Sequence, residues 1–284
     1  MEPWQIKKIV LQALEEDLPF GDRTSELIIP QNLYGSAYFL AKSDLVICGE
    51  PIAEAVFHEI DASLKIHWLH PEGSEVTKNS KIGYVEGRVI SLLKGERVAL
   101  NFLQHLSGIA TKARRMSQLL PENTFLLDTR KTLPGLKILQ KYAVRVGGGK
   151  NHRFSLSDGI LIKDNHIKAL GGLKIVLEKL KTLPSNLKVE IEVKDLSELE
   201  LLIESKAPVD IVMLDNFSLE DIKRALYLIK NKKPELKVEI SGGITEENLK
   251  SYAELGIDYI SSGALTHSVI AVDISFKIEK VWEE

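Results

Sequence analysis

The second half of the chain alternates short β-branched runs with longer runs of helical periodicity, and this alternation limits the possible folds more than any other feature. The helical runs cover about residues 168–183, 195–206, 218–231 and 246–255. The seven strand candidates are FLL (125–127), AVRV (143–146), GILI (159–162), KVEIEV (188–193), DIVML (210–214), KVEI (237–240) and DYIS (258–261). Such units in one sheet require parallel strands joined by helical crossovers. Because the strands are evenly spread and no dinucleotide fingerprint follows the first, a closed or nearly closed (β/α) barrel is favoured over an open doubly wound sheet.

The first part of the chain predicts a different kind of domain. Residues 3–17, 52–60 and 91–120 have helical spacing, and Gly108 is expected to kink or break the last of these helices. Short strand candidates lie between the first and last helices, at residues 36–41, 45–48, 64–68 and 82–86. We therefore interpret residues 1–107 as an α+β domain and residues 108–267 as the barrel domain.

Composition excludes several classes of protein. The 284 residues carry a net charge of −3 with 44% hydrophobic and 27% charged residues, which argues against a dedicated nucleic-acid binder. No apolar run approaches the length of a membrane span, and the N-terminal residues are too acidic for a signal peptide. Cys48 is the only cysteine, so a disulfide framework is excluded and a cytoplasmic location is expected.

Polar or glycine-rich residues follow every predicted strand. The exits are DTRK (128–131), GGG leading to His152 and Arg153, KDNH (163–166), Glu192 with Lys194 and Asp195, DN (215–216), SGG (241–243) and SSG (261–263). In a parallel barrel these carboxyl ends converge on one face, where active sites lie. One such exit would be explained as a turn, but the repetition of charged residues at the strand ends predicts a binding site.

The last two exits are small and rich in backbone N–H groups. Residues 241–243 and 262–264 lie where phosphate sites recur in barrels, after the final two strands. Small residues let a phosphate approach the amides, and a following helix N-terminus favours negative charge. Two tight turns that need glycine are the alternative, and the occurrence of both loops together favours phosphate.

Two carboxylates, Glu192 and Asp215, end neighbouring predicted strands. Oxygen ligands next to phosphate are the usual arrangement for Mg²⁺, and the same carboxylates suit the hydroxyls of a sugar. Internal salt bridges with Lys163 or Lys131 are the alternative, and both interpretations are compatible. Zinc is not expected, because the seven histidines show no ligand spacing.

Basic residues are concentrated in one segment of this acidic chain. The segment from Arg130 to His166 contains eight basic and two acidic residues, so its net charge is +6. The basic residues are Arg130, Lys131, Lys137, Lys141, Arg145, Lys150, Arg153 and Lys163. We assign Arg130, Lys131, Arg153 and Lys163 to the pocket and Lys137, Lys141 and Lys150 to solvated faces, and we leave Arg145 open. Because arginine binds carboxylates through two parallel hydrogen bonds, the predicted substrate is a small polyanion with phosphates at one end and carboxylates at the other.

These motifs resemble those of a known family. The stretches EDLPFGDRTS, GERVALNFLQHLSGIAT, DTRKTLPGLK, YAVRVGGGKNHRFSLSDGILIKDNHI, EIEV, LDN, SGGI and SSGA occur in this order. The chain thereby resembles the nicotinate-nucleotide pyrophosphorylases, also called quinolinate phosphoribosyltransferases. The resemblance spans nearly the whole chain and is most specific in residues 142–167.

The resemblance implies an α/β protein with an N-terminal α/β sandwich and a C-terminal incomplete barrel of parallel strands, with residues of about 268–284 returning to the first domain. It implies transfer of phosphoribosyl from phosphoribosyl pyrophosphate to quinolinate, with Mg²⁺, and decarboxylation to nicotinate mononucleotide in NAD biosynthesis. It also implies a cytoplasmic homodimer with shared sites and no nucleic-acid or membrane partner. Assembly of dimers into hexamers is left open.

The resemblance further implies roles for individual residues. The substrate-binding set is Arg97, Thr129, Arg130, Lys131, His152, Arg153, Lys163, Glu192 and Asp215, and the catalytic set is Lys131, Lys163, Glu192 and Asp215. The phosphate-binding set is Ser241, Gly242, Gly243, Ser262, Gly263 and Ala264, and Glu192 and Asp215 hold Mg²⁺ mainly through the substrate. From composition alone Arg97 is a solvated helix charge, whereas the resemblance implies that it reaches the site of a partner subunit. Gln140 departs from the family, which usually has an acidic residue there, and this puts a local salt bridge in doubt.

Other functions are weighed against this one. A Schiff-base lyase on a barrel would use Lys163 as its nucleophile and keep the phosphate loops, but it needs few arginines. A repurposed relative would bind another anion without this chemistry. Nicotinate and nicotinamide phosphoribosyltransferases use a substrate with at most one carboxylate, so the dense cation cluster favours a dicarboxylate.

Overall fold

The computed structural model describes residues 1–182 and 186–283, which divide into two compact units. The first unit contains residues 1–114, residues 132–148 and the chain from Leu265 to its last described residue. The second contains residues 115–131 and 149–264. The predicted boundary after residue 107 falls inside one continuous helix, and the predicted division into two domains stays a prediction.

The first unit is built on a four-stranded antiparallel sheet. Its helices are α1 (Pro3–Asp17), α2 (Arg23–Ile28), α3 (Glu50–Ile60), most of α4 (Val89–Gln118) and α5 (Lys137–Val146). Its strands are β1 (Leu33–Ala41), β2 (Leu45–Val46), β3 (Lys65–Trp68), β4 (Glu75–Val76), β5 (Lys81–Arg88) and β12 (Ile274–Glu283). The main sheet has the order β12-β1-β5-β3, and β2 pairs with β4. Neither α2 nor β12 was predicted as an element, and Glu284 of the predicted tail lies outside the described residues.

Aromatic packing joins the first sheet to α3. Phe39 of β1 stacks on Trp68 with ring centroids 5.5 Å apart and lies 4.9 Å from Phe276 of β12. Phe57 of α3 packs on the same pair of phenylalanines. Burial of such side chains stabilises the fold by about 1.5–3 kcal/mol each. The C-terminal strand is therefore held by the core as well as by its pairing with β1.

The second unit is a parallel six-stranded sheet within the described residues. Its strands are β6 (Phe125–Leu127), β7 (Ile160–Ile162), β8 (Val189–Val193), β9 (Ile211–Asp215), β10 (Lys237–Ser241) and β11 (Tyr259–Ser261), in the order β6-β11-β10-β9-β8-β7. Its helices are α6 (Asp164–Ala169), α7 (Leu173–Leu180), α8 (Leu196–Glu204), α9 (Leu219–Lys232) and α10 (Lys250–Ala253), and a 3-10 turn spans Gly263–Leu265. In the part of the chain that the structure describes, the terminal strands β6 and β7 are not paired with one another. The predicted α/β class with parallel strands is confirmed.

The prediction of a strand at AVRV (143–146) is wrong. These residues form the last turn of α5, in which Leu139, Gln140, Ala143 and Val144 are buried at helical spacing. The amphipathic period of the whole decapeptide outweighs the β preference of its valines. On the side of β6 that faces away from β11, the described residues form an isolated parallel bridge between Leu127 and Lys150 in place of a further strand.

Two predicted helices are shorter than expected. The run at 168–183 is two helices, because Gly171 and Gly172 have φ angles of 88° and 130° and interrupt it. Leu183, at its predicted end, lies outside the described residues. The run at 246–255 contains only α10. By contrast, Gly108 does not break α4: a Cβ there would lie 2.4 Å from the carbonyl oxygen of Ile270, so the glycine permits close backbone contact.

Gln140 is fully buried in the first unit and makes no surface salt bridge. Its Oε1 accepts a 2.8 Å hydrogen bond from the backbone N–H of Leu133, and its Nε2 donates to the carbonyl of Thr266 at 3.2 Å. The same Nε2 lies 3.0 Å from Nε2 of His105. Burial lowers the pKa of His105, which favours a neutral ring beside a neutral amide. A carboxylate at this position would have no N–H to offer Thr266.

No helix among the described residues has both the length and the apolar composition that a membrane crossing demands.

We predict that the free energy of unfolding falls between pH 4.5 and pH 8 because of Glu50. Burial, followed by the negative charge of Glu72, raises the pKa of Glu50 from 4.5 to about 8. In this window the unfolded chain releases a proton that the folded chain retains, so stability declines as the pH rises. The variant Glu50→Gln should remove the decline and be more stable at pH 8.5 by at least about 1 kcal/mol. Urea unfolding at pH 5, 7 and 8.5 measures this, with exposed Glu15→Gln as the control; equal pH slopes for wild type and Glu50→Gln would contradict the assignment.

Candidate active site

The two faces of the parallel sheet have opposite character. In β8, Val189, Ile191 and Val193 point to one face, and Glu190 and Glu192 to the other. Residues in register on neighbouring strands share a face, so strand pairing assigns residues of β9 and β10 to the same two faces. On the face of the glutamates, Glu190 pairs with Ile211, and Met213 pairs with Glu239. The apolar set also contains Leu126, Val212, Leu214, Val238, Ile240 and Ile260, all of which are buried. The polar face therefore forms the interior on which a site can be built.

The carboxyl ends of the strands lie at one edge of the sheet, as predicted. Asp215 is in register with Ser241, and Ser261 is in register with Leu127. Glu192 is in register with Met213, so it lies two residues before Asp215 along the strand direction. The structure thus brings the predicted carboxylates and the two small-residue loops to the same face and edge.

Lys163 and Glu192 form an ion pair between the ends of β7 and β8. The Nζ of Lys163 lies 3.1 Å from Oε2 of Glu192, whose side chain is 13% exposed, while Lys163 is 45% exposed. The internal salt bridge considered from the sequence is therefore present for Glu192. It leaves part of the lysine facing solvent at the edge where a ligand would enter.

The loop after β9 packs tightly on the loop after β10. Asn216 has a left-handed φ of 56°, and its Nδ2 donates to Oδ2 of Asp215 at 2.7 Å. Its backbone N–H donates to the carbonyl of Ser241 at 3.0 Å. A Cβ on Gly242 would lie 2.2 Å from Oδ1 of Asn216, whereas one on Gly243 would have no atom within 4 Å. Only glycine fits at position 242, and Gly243 faces open space.

The two predicted phosphate loops are held by side-chain hydrogen bonds. Asn248 donates to the carbonyl of Gly243 at 2.8 Å and accepts from the N–H of Thr245 at 2.9 Å. Ser262 donates from its Oγ to the carbonyl of Ile244 at 2.8 Å, and its N–H bonds to the carbonyl of Leu127. Gly263 and Ala264 begin the 3-10 turn. The loops are compact, but no long helix begins directly after the first one, because α10 starts at Lys250.

The predicted cations of the second unit are distributed around this polar face. Arg130 and Lys131 are exposed after β6, where the backbone N–H of Lys131 donates to Oγ1 of Thr129 at 3.0 Å. Burial, followed by the positive charge of Arg130, lowers the pKa of Arg153, so the two guanidinium groups are near one another. Arg153 donates to the carbonyl of Gly159 at 3.0 Å, and its Nε is buried without a hydrogen-bond partner among the described residues.

Cations outside this set have other environments. Lys150 lies 3.1 Å from the ring centroid of Phe125, so its predicted solvated role is only partly correct. The prediction that Lys141 is solvated is wrong, because Lys141 is only 2% exposed within α5 of the first unit. Arg97 is exposed on α4 in the first unit. Its predicted role stays a prediction.

His152 has protein groups at both ring nitrogens. Its Nε2 lies 2.9 Å from Oε2 of Glu190 and 3.6 Å from Oε2 of Glu239, and its Nδ1 accepts the backbone N–H of Arg153 at 2.7 Å. Burial, followed by the charge of Glu190, raises the pKa of Glu239. The structure therefore gives His152 internal partners, and its role as a direct quinolinate contact stays a prediction.

A cavity of about 270 Å³ lies on the polar face, towards the amino ends of the strands. His152, Arg153, Glu190, Glu239 and Tyr259 are among its lining residues. Sequence reasoning missed Glu190 and Glu239, because both lie inside strands rather than at their ends. The signal was present in KVEIEV and KVEI, where each glutamate alternates with β-branched residues and so faces away from the helices.

Comparisons with known proteins agree over nearly the whole chain. Models of the quinolinate phosphoribosyl transferase N-terminal and C-terminal domains match residues 22–107 and 109–277. A protein of Methanocaldococcus jannaschii named probable nicotinate-nucleotide pyrophosphorylase [carboxylating] is 42% identical over 278 residues, covering 95% of this chain and 96% of that protein. Quinolinate phosphoribosyltransferase [decarboxylating] 2, mitochondrial, from Nicotiana glauca is 40% identical over 294 residues, covering 97% of this chain and 83% of that protein. The solved nicotinate-nucleotide pyrophosphorylase of Francisella tularensis is 39% identical with a TM-score of 0.91, and 98% of each chain is covered.

We predict that Gly242→Ala destabilises the second unit more than Gly243→Ala does. Both glycines have positive φ, 96° and 60°, so both changes incur the backbone cost of about 1–2 kcal/mol. Only the first also forces a methyl group against Asn216, which should add at least about 1 kcal/mol. Chemical unfolding of the two variants measures the difference. Equal losses of stability would mean that the packing of Asn216 on Gly242 contributes nothing.

Proposed function

Because the chain belongs to the quinolinate phosphoribosyl transferase family, we propose that it transfers phosphoribosyl from phosphoribosyl pyrophosphate to the ring nitrogen of quinolinate. The products are nicotinate mononucleotide, pyrophosphate and CO₂, and the ring carbon that loses its carboxylate takes up a proton. This reaction is a step of NAD biosynthesis.

One observation carries this proposal beyond family membership. Four neighbouring strands bring polar residues to the carboxyl edge of the polar face. Lys163 directly follows β7, and Glu192, Asp215 and Ser241 lie at the ends of β8, β9 and β10, with Gly242 directly after Ser241. Cations, carboxylates and small loops thus follow one another across the sheet. A substrate with carboxylates at one end, a sugar in the middle and a phosphate at the other end has this sequence of charges.

The residue types suit the proposed chemistry. Cleavage of the bond between ribose and pyrophosphate develops positive charge on the sugar, which the carboxylates of Glu192 and Asp215 stabilise. Lys131 and Lys163 neutralise negative charge on pyrophosphate and quinolinate. The pyridine nitrogen attacks with its own lone pair, so the protein needs no strong base. Once that nitrogen is cationic, it favours loss of the neighbouring carboxylate, and the contribution of the protein is positioning and preorganised charge.

The arginines support a dicarboxylate rather than a monocarboxylate. Arg153 holds a buried Nε with no acceptor among the described residues, and burial of an unsatisfied donor costs about 1–3 kcal/mol. A ligand carboxylate would satisfy this donor. It would also compensate for the burial of Arg153 and for its repulsion by Arg130, which together lower the pKa of Arg153. Nicotinate carries one carboxylate and would leave part of this positive charge uncompensated.

Magnesium fits the carboxylates at this edge. Glu192 and Asp215 offer hard oxygen ligands on adjacent strands, beside loops suited to phosphate, and this is the donor set that Mg²⁺ takes together with a substrate. When bound, the ion would neutralise the charge of the leaving pyrophosphate. Glu192 already pairs with Lys163, so we propose that it contacts the ion mainly through the substrate.

We also propose a homodimer in which Arg97 completes the site of the partner subunit. Its exposure on α4 supports this proposal, because an exposed arginine is available to a second copy. A cytoplasmic location is supported by Cys48, which is buried as a free thiol.

The Schiff-base lyase considered from the sequence receives no support from the site. A Schiff-base lysine must act as a neutral amine, whereas Lys163 is ion-paired with Glu192.

One assay tests the function. Purified protein with Mg²⁺ and phosphoribosyl pyrophosphate should convert quinolinate to nicotinate mononucleotide and release CO₂ in equal amounts, and nicotinate should give at least about 100-fold less product. The variant Lys163→Ala is the matched control, and it should lose at least about 100-fold in kcat/KM for quinolinate. Faster turnover of nicotinate, or no product from either acid by folded protein, would reject the proposal.

The shared site is tested with mixed dimers. Arg97→Ala and Lys163→Ala homodimers should both be nearly inactive, because each lacks one residue in both sites. Mixing the two chains should restore about one quarter of wild-type activity, since half the dimers are hybrids with one intact site. Mixtures of Asn101→Ala, an exposed position on the same helix, with Lys163→Ala should keep half of wild-type activity with or without exchange, so they control for effects of mixing alone, and mass spectrometry of differently tagged chains measures the exchange itself. Absence of recovery despite demonstrated exchange would show that Arg97 acts within its own subunit or not at all.

A further inference from the structure

We propose that Glu190 is a positioning residue that fixes the tautomer and orientation of His152 and, through His152, holds Arg153 in place to receive the carboxylates of the substrate. This inference rests on the proposed function, because Arg153 is assigned there to quinolinate. Glu190 itself lies within a strand and is 5% exposed, so it acts through its neighbours and not on the substrate.

A continuous chain of hydrogen bonds links Glu190 to Arg153. The carboxylate of Glu190 lies 2.9 Å from Nε2 of His152, and Nδ1 of the same ring accepts the backbone N–H of Arg153 at 2.7 Å. Asp128 fixes the start of this segment, since its two oxygens accept the N–H of His152 at 2.9 Å and Nδ2 of Asn151 at 2.5 Å. The segment before Arg153 is therefore held by two carboxylates, Asp128 directly after β6 and Glu190 within β8.

The hydrogen bonds determine where the ring proton of His152 lies. Because Nδ1 accepts an N–H donor, its lone pair is occupied and it carries no proton. The proton of the neutral ring is then on Nε2, which donates it to Glu190. Loss of the acceptor at position 190 would remove the interaction that selects this tautomer.

Glu239 does not compete for this role. Its carboxylate is fully buried and lies farther from the ring, at 3.6 Å. Two ionised carboxylates so close together in a buried site repel one another, and burial and the charge of Glu190 raise the pKa of Glu239. Glu190 is therefore the carboxylate that lies within hydrogen-bond distance of the ring, and Glu239 is not.

The arrangement holds Arg153 in position before a substrate binds. Its backbone is held by His152, one terminal nitrogen is held by the carbonyl of Gly159 at 3.0 Å, and the buried Nε remains available. A preorganised arginine loses less side-chain entropy when it binds a carboxylate. Release of His152 would leave the guanidinium free to rotate into the adjoining cavity.

The spacing of His152, Glu190 and Glu239 also suits a metal ion, since their ligand atoms lie within 4.8 Å of one another. A metal on Nε2 would require the ring proton to move to Nδ1, where it would face the N–H of Arg153 at 2.7 Å. Two donors would then point at each other. The geometry therefore favours a hydrogen-bonded histidine over a metal ligand.

The experiment compares four variants by two independent readouts. Glu190→Ala removes the acceptor, Glu190→Gln keeps a carbonyl acceptor of the same size, Glu239→Gln mimics a protonated Glu239, and Tyr259→Phe alters the same cavity without touching the chain of hydrogen bonds. Nitrogen-15 NMR of labelled histidine reports the tautomer of His152, with His152→Ala assigning the signal. Steady-state kinetics report KM for quinolinate and for phosphoribosyl pyrophosphate separately.

We expect Glu190→Ala to abolish the fixed Nε2–H tautomer and to raise KM for quinolinate at least about tenfold, with KM for phosphoribosyl pyrophosphate changed less than about twofold. Glu190→Gln should restore the tautomer and most of the quinolinate affinity. Glu239→Gln and Tyr259→Phe should retain the wild-type tautomer.

Three results would overturn the proposal: an unchanged tautomer in Glu190→Ala, loss of the tautomer in Glu239→Gln, or stoichiometric Zn²⁺ binding by wild type that Glu190→Ala abolishes. An equal rise of both KM values would indicate general damage and would also count against it. If wild-type protein does not turn over quinolinate, the proposed function fails, whereas the NMR readout still decides whether Glu190 selects the tautomer.

Discussion

The structure depends on one constraint, which is that charged groups on the inner face of the parallel sheet cannot be left without partners. The outer face is covered by valines, isoleucines and leucines, so the carboxylates of β8, β9 and β10 all point inward. Burying an isolated charge costs several kcal/mol. The inner carboxylates therefore have different surroundings. Glu192 is ion-paired with Lys163, Glu190 contacts His152, and Asp215 accepts a hydrogen bond from Asn216. Burial, followed by the charge of Glu190, raises the pKa of Glu239.

The partners of the charged groups differ between the amino and the carboxyl ends of the strands, and this difference produces the site. Near the amino ends of the strands the partners are internal, so the charges hold the segment of His152 and Arg153 in place. At the carboxyl ends the partners are incomplete, because Lys163 is half exposed and Gly243 faces open space. The polar face therefore supports the segment of His152 and Arg153 near the amino ends of the strands and offers groups to a ligand near their carboxyl ends. One small sheet can in this way both hold binding residues in position and bind the ligand.

Prediction from sequence succeeded where a single local signal was decisive and failed where two signals competed. The run KVEIEV alternates apolar and charged residues over a whole strand, and it was placed correctly. AVRV has strong β propensity but belongs to a longer amphipathic segment, and helical packing of Leu139, Ala143 and Val144 prevailed. Glu190 and Glu239 escaped notice because polar residues were sought at strand ends, although their alternation with valine and isoleucine already indicated an inner face.

By itself, the sequence determined the parallel βα architecture, the polar strand exits and the cation-rich segment, because periodicity and strand polarity are properties of neighbouring residues. Only the tertiary structure decided which charges meet. The pairing of His152 with Glu190 and the contact of Asn216 with Gly242 join residues separated by tens of positions along the chain. The pKa of Glu239 is likewise raised by its burial and by the charge of the distant Glu190. Their partners are fixed by strand order and register, and interactions over a few ångströms in a buried environment cannot be inferred from the chemistry of either residue alone.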